Sequence, residues 1–442
     1  EAAATSSFDK QIKEVAMYNY ALLIHETAFT GFGESVTIFE DFLNDFPNSQ
    51  YADKVNDYLV EVYLTTKNYE AALKSINKIK QPSTKILEAK QGILFQLGTQ
   101  AFANVKLDDA VSLFSQAIQL GSYNTEARNE AYFWRGESYY RMGEYENAIS
   151  DYRTYLNNTH QRNTDMYALA YYNLGYSYFK LRDYSAALNR FRQYVDLESN
   201  QQAASLADAY NRIGDCQYQN RQFSLAEENY SRAAQLSPSA GDYSIYQKGF
   251  LLGLQKDYRG KISAMDRLIS EYPESQYVDD ALFEKGRTYV LLENSSSAAQ
   301  AFEKLIREFP QSSLARKAGI QLGLLYYNDN QPEKALAAYK QVISNYPGSE
   351  EAKTALQDLK SVYIDLNDIN AYANYVNSIG GNIRLEVGEQ DSLTYIAAEK
   401  LFMRGDNDGA RRSLVNYLQT FPEGAFSSNA NFYLGSIAFA KK

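Results

Sequence analysis

The chain has 442 residues but one cysteine, two histidines and one tryptophan, so it is poor in the residues that most often carry chemistry. A lone thiol, Cys216, closes no internal disulfide and makes no C-x-x-C pair. It falls on an expected helix and reads as a small buried side chain. His25-Glu26 is not followed by a second histidine at zinc-protease spacing, and His160 sits in a polar corner, NNTHQRNTD. No glycine-rich phosphate loop opens a helix after a strand. No stretch of about 18 apolar residues occurs, so no segment of this chain spans a bilayer as a helix. Basic residues are outnumbered, 44 Lys and Arg against 54 Asp and Glu, which argues against nucleic acid as a partner. The acidic pairs Asp108-Asp109, Glu227-Glu228, Asp279-Asp280 and Glu350-Glu351 are expected near helix starts, where they complement the helix dipole. GDNDGARR (405–412) spaces its acids like part of a calcium loop. It lacks the closing Glu and lies where a helix turn belongs. No catalytic residue, metal site or cofactor is expected.

Proline is scarce too, yet six of the eight recur in one setting: Pro47, Pro238, Pro273, Pro310, Pro347 and Pro422. FPNS, YPES, FPQS, YPGS and FPEG are the clearest copies. Upstream runs a second register at a step of about 37 residues, a period that signals stacked supersecondary units. Its positions are Leu23, Val60, Gly98, Gly136, Gly175, Gly214, Gly249, Gly286, Gly323, Lys360, Ala398 and Gly435. Glycine inside a helix costs about 1 kcal/mol against alanine. Its recurrence therefore implies a steric need, the close approach of another backbone. Twelve residues on come Ala72, Ala110, Ala148, Ala187, Ala226, Ala298, Ala335 and Ala410, which the spacing makes the partner surface.

Residues 169–197, LAYYNLGYSYFKLRDYSAALNRFRQYVDL, show the unit best. Tyr171, Leu174, Gly175 and Tyr178 lie at helical spacing on a first helix, A, and Ala187, Phe191 and Tyr194 on a second, B. MGEY, LRDY, NRQF and NDNQP are the turns between them, and Pro332 opens its B helix without losing a needed N–H. The FP or YP corner ends helix B, since the residue before proline is driven out of helical geometry. The fold is expected to be all-α, with antiparallel helix pairs over 1–442. Eleven repeats are complete and a twelfth, NANFYLGSIAFAKK (429–442), is partial. With helix B missing there, the chain is expected to be a piece of a longer array, any leader or lipid anchor lying outside it. The weakest unit, 354–392, has Lys360 for Gly, Tyr372 for Ala and no closing proline. Its corner NSIGGNIRLEVGEQ reads as a longer polar loop or as a hinge where curvature changes.

The array resembles the tetratricopeptide repeats (TPR), whose unit has the same large-small-large pattern ending in proline. The unit here is about three residues longer than the family's usual 34. The longer unit and the FP-x-S corner are similar to BamD-like and YbgF-like proteins of the Gram-negative envelope. The resemblance implies a right-handed superhelical solenoid, A helices lining a concave groove, and a non-enzymatic scaffold for partner proteins or peptides. It also implies a periplasmic or outer-membrane setting, with a cytoplasmic one as the alternative. A-helix aromatics beside the register cluster between Gly136 and Gly214: Phe133, Tyr140, Tyr172, Tyr176, Phe179 and Tyr218, flanked by Arg141 and Lys180. They are either packing between helices or an open strip that holds a partner, Tyr and Arg being common anchors. Exposed rings would also stack on sugars, so glycan or peptidoglycan binding is the alternative function.

Overall fold

A computed structural model describes residues 2–5, 9–27, 33–200, 202, 204–380 and 385–440. Among them the elements are 23 α-helices and one 3₁₀ turn, with no strand. Contacts divide the chain into two compact units, Glu1–Ser239 and Ala240–Lys442. The first unit contains α1 (Lys10–Thr27), α2 (Glu34–Asp45), α3 (Ala52–Thr65), α4 (Tyr69–Ile76), α5 (Thr84–Ala103) and α6 (Leu107–Gln119). It continues with α7 (Thr125–Met142), α8 (Tyr145–Asn158), α9 (Asp165–Lys180), α10 (Tyr184–Leu197), α11 (Ala204–Gln219) and α12 (Phe223–Leu236). The second unit contains α13 (Asp242–Leu254), α14 (Tyr258–Glu271), α15 (Val278–Leu291), α16 (Ser295–Glu308), α17 (Ser313–Asn328) and α18 (Pro332–Asn345). After these come α19 (Glu350–Asp365), α20 (Ile369–Ile379), α21 (Val387–Met403), α22 (Asn407–Thr420) and α23 (Ser427–Ala440). Odd-numbered helices carry the glycine register and even-numbered ones the alanine, so each unit is an α solenoid of A and B helices. Helices pack on their sequence neighbours, and A helices also touch the next A helix, as α5 with α7 and α15 with α17.

The register glycines do meet a close neighbour, but it is not the alanine that the spacing suggests. A Cβ added at Gly175 would lie 2.9 Å from the ring of Phe191, and one at Gly136 would lie 3.2 Å from that of Tyr152. Gly98, Gly214, Gly286 and Gly323 are covered in the same way by Phe114, Tyr230, Phe302 and Tyr339, and Gly249 by Met265. The partner is thus the large residue sixteen places on, in the middle of helix B. Glycine makes a socket and the ring fills it. The alanines are fully enclosed and let the B helix come near enough for this. At three of the four register positions with a side chain the B-helix residue is smaller than a ring, Val60 with Ile76, Lys360 with Val376 and Ala398 with Leu414, whereas Leu23 is followed sixteen places on by Phe39. Burying each Phe or Tyr is worth about 1.5–3 kcal/mol, which outweighs the helix cost of glycine.

From α5–α6 onward the A–B turns share one backbone geometry. Val105, Arg182, Arg221, Lys256, Glu293, Asn330 and Asn367 all have φ between 53° and 65°, and Gly143 and Gly405 are left-handed at the equivalent position. Two backbone bonds close each of these A helices, as Arg182 N–H to Phe179 O and Asp183 N–H to Tyr178 O, both 3.0 Å. In six pairs the residue before helix B caps it: Asp183 Oδ1 accepts from Ala186 N–H at 3.0 Å, and Asn68, Asp257, Asn294, Asp368 and Asp406 do likewise. Asp406 is therefore a helix cap within GDNDGARR. Pro332 stands at the start of α18 as expected. Asp108, Asp279 and Glu350 fall in first turns, whereas Glu227 and Glu228 lie beyond the first turn of α12, a correction to their expected place.

The proline corners link one repeat to the next. Ser275 Oγ donates to Asp242 Oδ2 at 2.5 Å, and Ser312 Oγ to Asp279 Oδ2 at 2.6 Å. Each serine belongs to a corner and each aspartate to the A helix that opened the repeat. In the weakest unit, α19 and α20 form the expected pair with Tyr372 buried, and residues 381–384 of its corner lie outside the described residues.

Candidate interaction surface

The aromatic positions of α7, α9 and α11 separate into two groups. Phe133, Tyr172 and Tyr176 serve packing. Phe133 is 2% exposed, with Trp134, Tyr152 and Tyr155 ring centroids 5.4–5.7 Å away, so it offers no surface to a partner. That removes it from the expected strip: its position faces helix B. Tyr172 and Tyr176 stand against Tyr194 and Phe191 of α10, at 5.0 and 5.3 Å. Their hydroxyls both donate to Asp208 Oδ2 on α11, at 2.8 Å from Tyr172. Burial, followed by the Asp208 charge, pushes both phenols above their ordinary range and keeps them protonated as donors. These two rings are half-buried and fasten α9 to α11.

Tyr140, Phe179 and Tyr218 form the second group, at the last turn of three successive A helices. Each is half-buried and rests on the first residue of its B helix: Tyr145 at 5.5 Å, Tyr184 at 5.4 Å and Phe223 at 5.9 Å. Burial, with Tyr145 and Glu137 adding to it, raises the Tyr140 phenol above its ordinary value. Arg141 and Lys180 follow these rings and are exposed. The Arg141 guanidinium lies 4.2 Å from the centroid of Phe102 on α5, and its Nε donates to Glu137 Oε1 at 3.1 Å. Lys180 has no carboxylate partner among the described residues. Rings held by fixed neighbours and cations at the rim make a surface suited to apolar side chains and carboxylates.

Asp208 and Arg212 were not singled out from the sequence. Arg212 Nε lies 3.4 Å from Asp208 Oδ1, its Nη1 donates to Asp215 Oδ2 at 2.6 Å, and its guanidinium is 5.9 Å from the Phe179 ring. Their spacing on α11 was a legible sign, a charge pair one turn apart. The second unit has a similar node. Asp365 of α19 accepts from Tyr327 of α17 and pairs with Lys400 of α21 and with Arg404 just after it, at 2.8 Å from Arg404. Burial opposes its charge, yet Lys400, Tyr327 and Arg404 together hold its carboxyl below the usual carboxylate range.

Groups that the sequence set aside remain structural. Cys216 is fully buried, and burial pushes its thiol up to about 12. His25 packs on Tyr58 and Phe39. No cluster of metal-binding side chains occurs among the described residues, nor does any helix long and apolar enough to cross a membrane. His160 borders an open polar cleft of about 800 Å³ with Glu130, Asn157, Asn158 and Gln161. Two buried polar atoms on its walls, Arg128 Nε and Asn129 Oδ1, have no hydrogen-bond partner.

Comparison with known proteins agrees with this architecture. A tetratricopeptide-repeat family model matches residues 95–163 and 172–241, and a second one matches 243–275. A model described as YfiO, an outer membrane lipoprotein, matches residues 279–357. The C-terminal part of a TPR repeat-containing protein from Cytophaga hutchinsonii superposes with a TM-score of 0.50 at 20% identity. That match covers 59% of this chain and 99% of the other. A tetratricopeptide repeat protein from Parabacteroides merdae gives 0.41 at 17% identity, covering 62% and 98%. YrrB, described as a TPR protein with an unusual peptide-binding site, gives 0.37 at 22% identity, covering 46% and 96%. No curated protein matches the chain.

Proposed function

Because this chain is a tetratricopeptide-repeat protein, we propose that it is a non-enzymatic scaffold that captures a partner protein or peptide on its A-helix face. The observation that carries this is the row of Tyr140, Phe179 and Tyr218, each backed by a ring of its own repeat, with Arg141 and Lys180 following the first two. Such rings lose little freedom when a partner docks, which favours affinity. The partner presents apolar side chains with nearby carboxylates, as an extended segment or a helix laid across the A helices. The YfiO-like stretch supports a role at the bacterial envelope, on the periplasmic face of the outer membrane.

The test is capture from an envelope extract. Tyr140→Ala, Phe179→Ala and Tyr218→Ala combined should abolish it while the helical circular dichroism persists. Lys180→Glu, on an exposed side chain, should weaken it at low salt and matter less as salt rises. Undiminished capture by the folded triple variant would remove this surface from consideration.

Carbohydrate is a second reading, favoured by the cleft around His160. Amides, hydroxyls, two glutamates and unpaired polar atoms line it, as hydrogen bonding to a sugar requires. Retention of the protein on peptidoglycan, lost on Asn129→Ala, would favour it over peptide capture.

A further inference from the structure

We propose that the B-helix face of the second unit, from α14 to α18, docks an acidic peptide segment. Two clefts open there, one on each side of α16. The first, about 520 Å³, lies between α14 and α16, and the second, about 650 Å³, between α16 and α18. They are one site made twice at the repeat step. Asp266, Ile269 and Tyr289 of the first stand 37 residues before Glu303, Ile306 and Tyr326 of the second. The tyrosines come from the intervening A helices, α15 and α17, and give each cleft an aromatic wall.

The charge of the walls defines the occupant. Arg267, Lys285, Lys304, Arg307 and Lys334 line the two clefts against only Asp266 and Glu303, in a chain whose net charge is −10. Both carboxylates are already engaged. Lys285 Nζ donates to Asp266 Oδ1 at 2.5 Å, and the Tyr326 hydroxyl donates to Glu303 Oε1 at 2.6 Å. Burial, followed by the bond to Glu303, pushes the Tyr326 phenol up to about 12, so it stays a donor. Lys334 Nζ lies 5.3 Å from the centroid of the Tyr326 ring and has no carboxylate partner among the described residues. Arg267 pairs with Glu271, and Lys304 and Arg307 pair with Glu308, but these are exposed ion pairs within one helix, worth little and easily exchanged. A carboxylate entering either cleft therefore meets cations that nothing else holds firmly, and an apolar side chain beside it meets a tyrosine ring. A peptide can set its carboxylates at these points alone. A nucleic acid or an anionic lipid surface would also press phosphates against Asp266, Glu303 and the acidic remainder of the chain, which disfavours both.

The probe is a fluorescein-labelled synthetic peptide of twelve residues in which pairs of glutamate alternate with single leucines, titrated into the whole chain and read by anisotropy. Saturable binding is expected, at least tenfold weaker for the same peptide with glutamine in place of glutamate, and weakening as salt rises. Lys334→Glu and Arg307→Glu combined should weaken it at least tenfold. Both side chains are exposed, so the helices keep their fold, which circular dichroism checks. Lys180→Glu, on the surface proposed above for the first unit, should leave this binding unchanged. No saturation at millimolar peptide, equal binding to the Lys334→Glu and Arg307→Glu protein, or a loss on Lys180→Glu instead would overturn the proposal. Tighter binding of single-stranded DNA or of phosphatidylglycerol vesicles than of the peptide would overturn it as well.

Discussion

Gly175 shows how one missing methyl group shapes a repeat. The ring of Phe191 occupies the space where a Cβ would stand, so Gly175→Ala must displace it. Alanine gains about 1 kcal/mol of helix propensity, but overpacking costs about 1–3 kcal/mol, and the balance falls on the side of destabilisation. Phe191→Leu alone leaves a gap and also destabilises. Together the two should cost less than their sum, with a coupling of at least about 0.5 kcal/mol, because Ala398 with Leu414 is the same pairing found natively. Hydrogen exchange of α9 and α10 amides in a double-mutant cycle measures it, and strict additivity would break the socket account. The sequence showed that small residues recur at Gly175 and Ala187. It could not show which side chain fills the gap, because periodicity ranks positions by size and is silent on the direction across the pair. It was equally silent on Val105, Arg182 and Glu293, none of them a residue that signals left-handed backbone.

Helices are fastened to one another at carboxylates that tyrosines and cations share. Asp365 joins α17, α19 and α21, and its lowered pKa fixes the sign of its pH dependence. The stabilisation is complete above the unfolded carboxylate pKa of about 3.9 and is lost as pH falls through the lower folded value. Asp365→Asn should cost about 1–2 kcal/mol at pH 7, a modest figure because Lys400 and Arg404 are 42% and 50% exposed. The gap between the two proteins should close below about pH 3.9, read from urea denaturation at stepped pH. A difference that persists at pH 2 would assign the effect to packing instead. The register, the alternation of helices and the proline corners were legible as elements before any coordinates. The sorting of Phe133, Tyr172 and Tyr176 from Tyr140, Phe179 and Tyr218 was not. All six lie within one helix face by spacing, and a few degrees of rotation decide which ring meets the B helix and which meets water.

Across the whole molecule, contacts run between neighbours in sequence, so damage should stay local. Gly175→Leu, a larger insertion beside Phe191, should speed amide exchange in α8–α11 and leave α15–α18 at wild-type rates. Mass spectrometry of exchanged peptides resolves the two regions, and uniform acceleration would contradict a nearest-neighbour array. Each filled register glycine and the side chain that fills it belong to the same repeat. A duplication or deletion of one unit during evolution would therefore leave each surviving lock with its own key. Length could change by recombination without any new compensating substitution in the core.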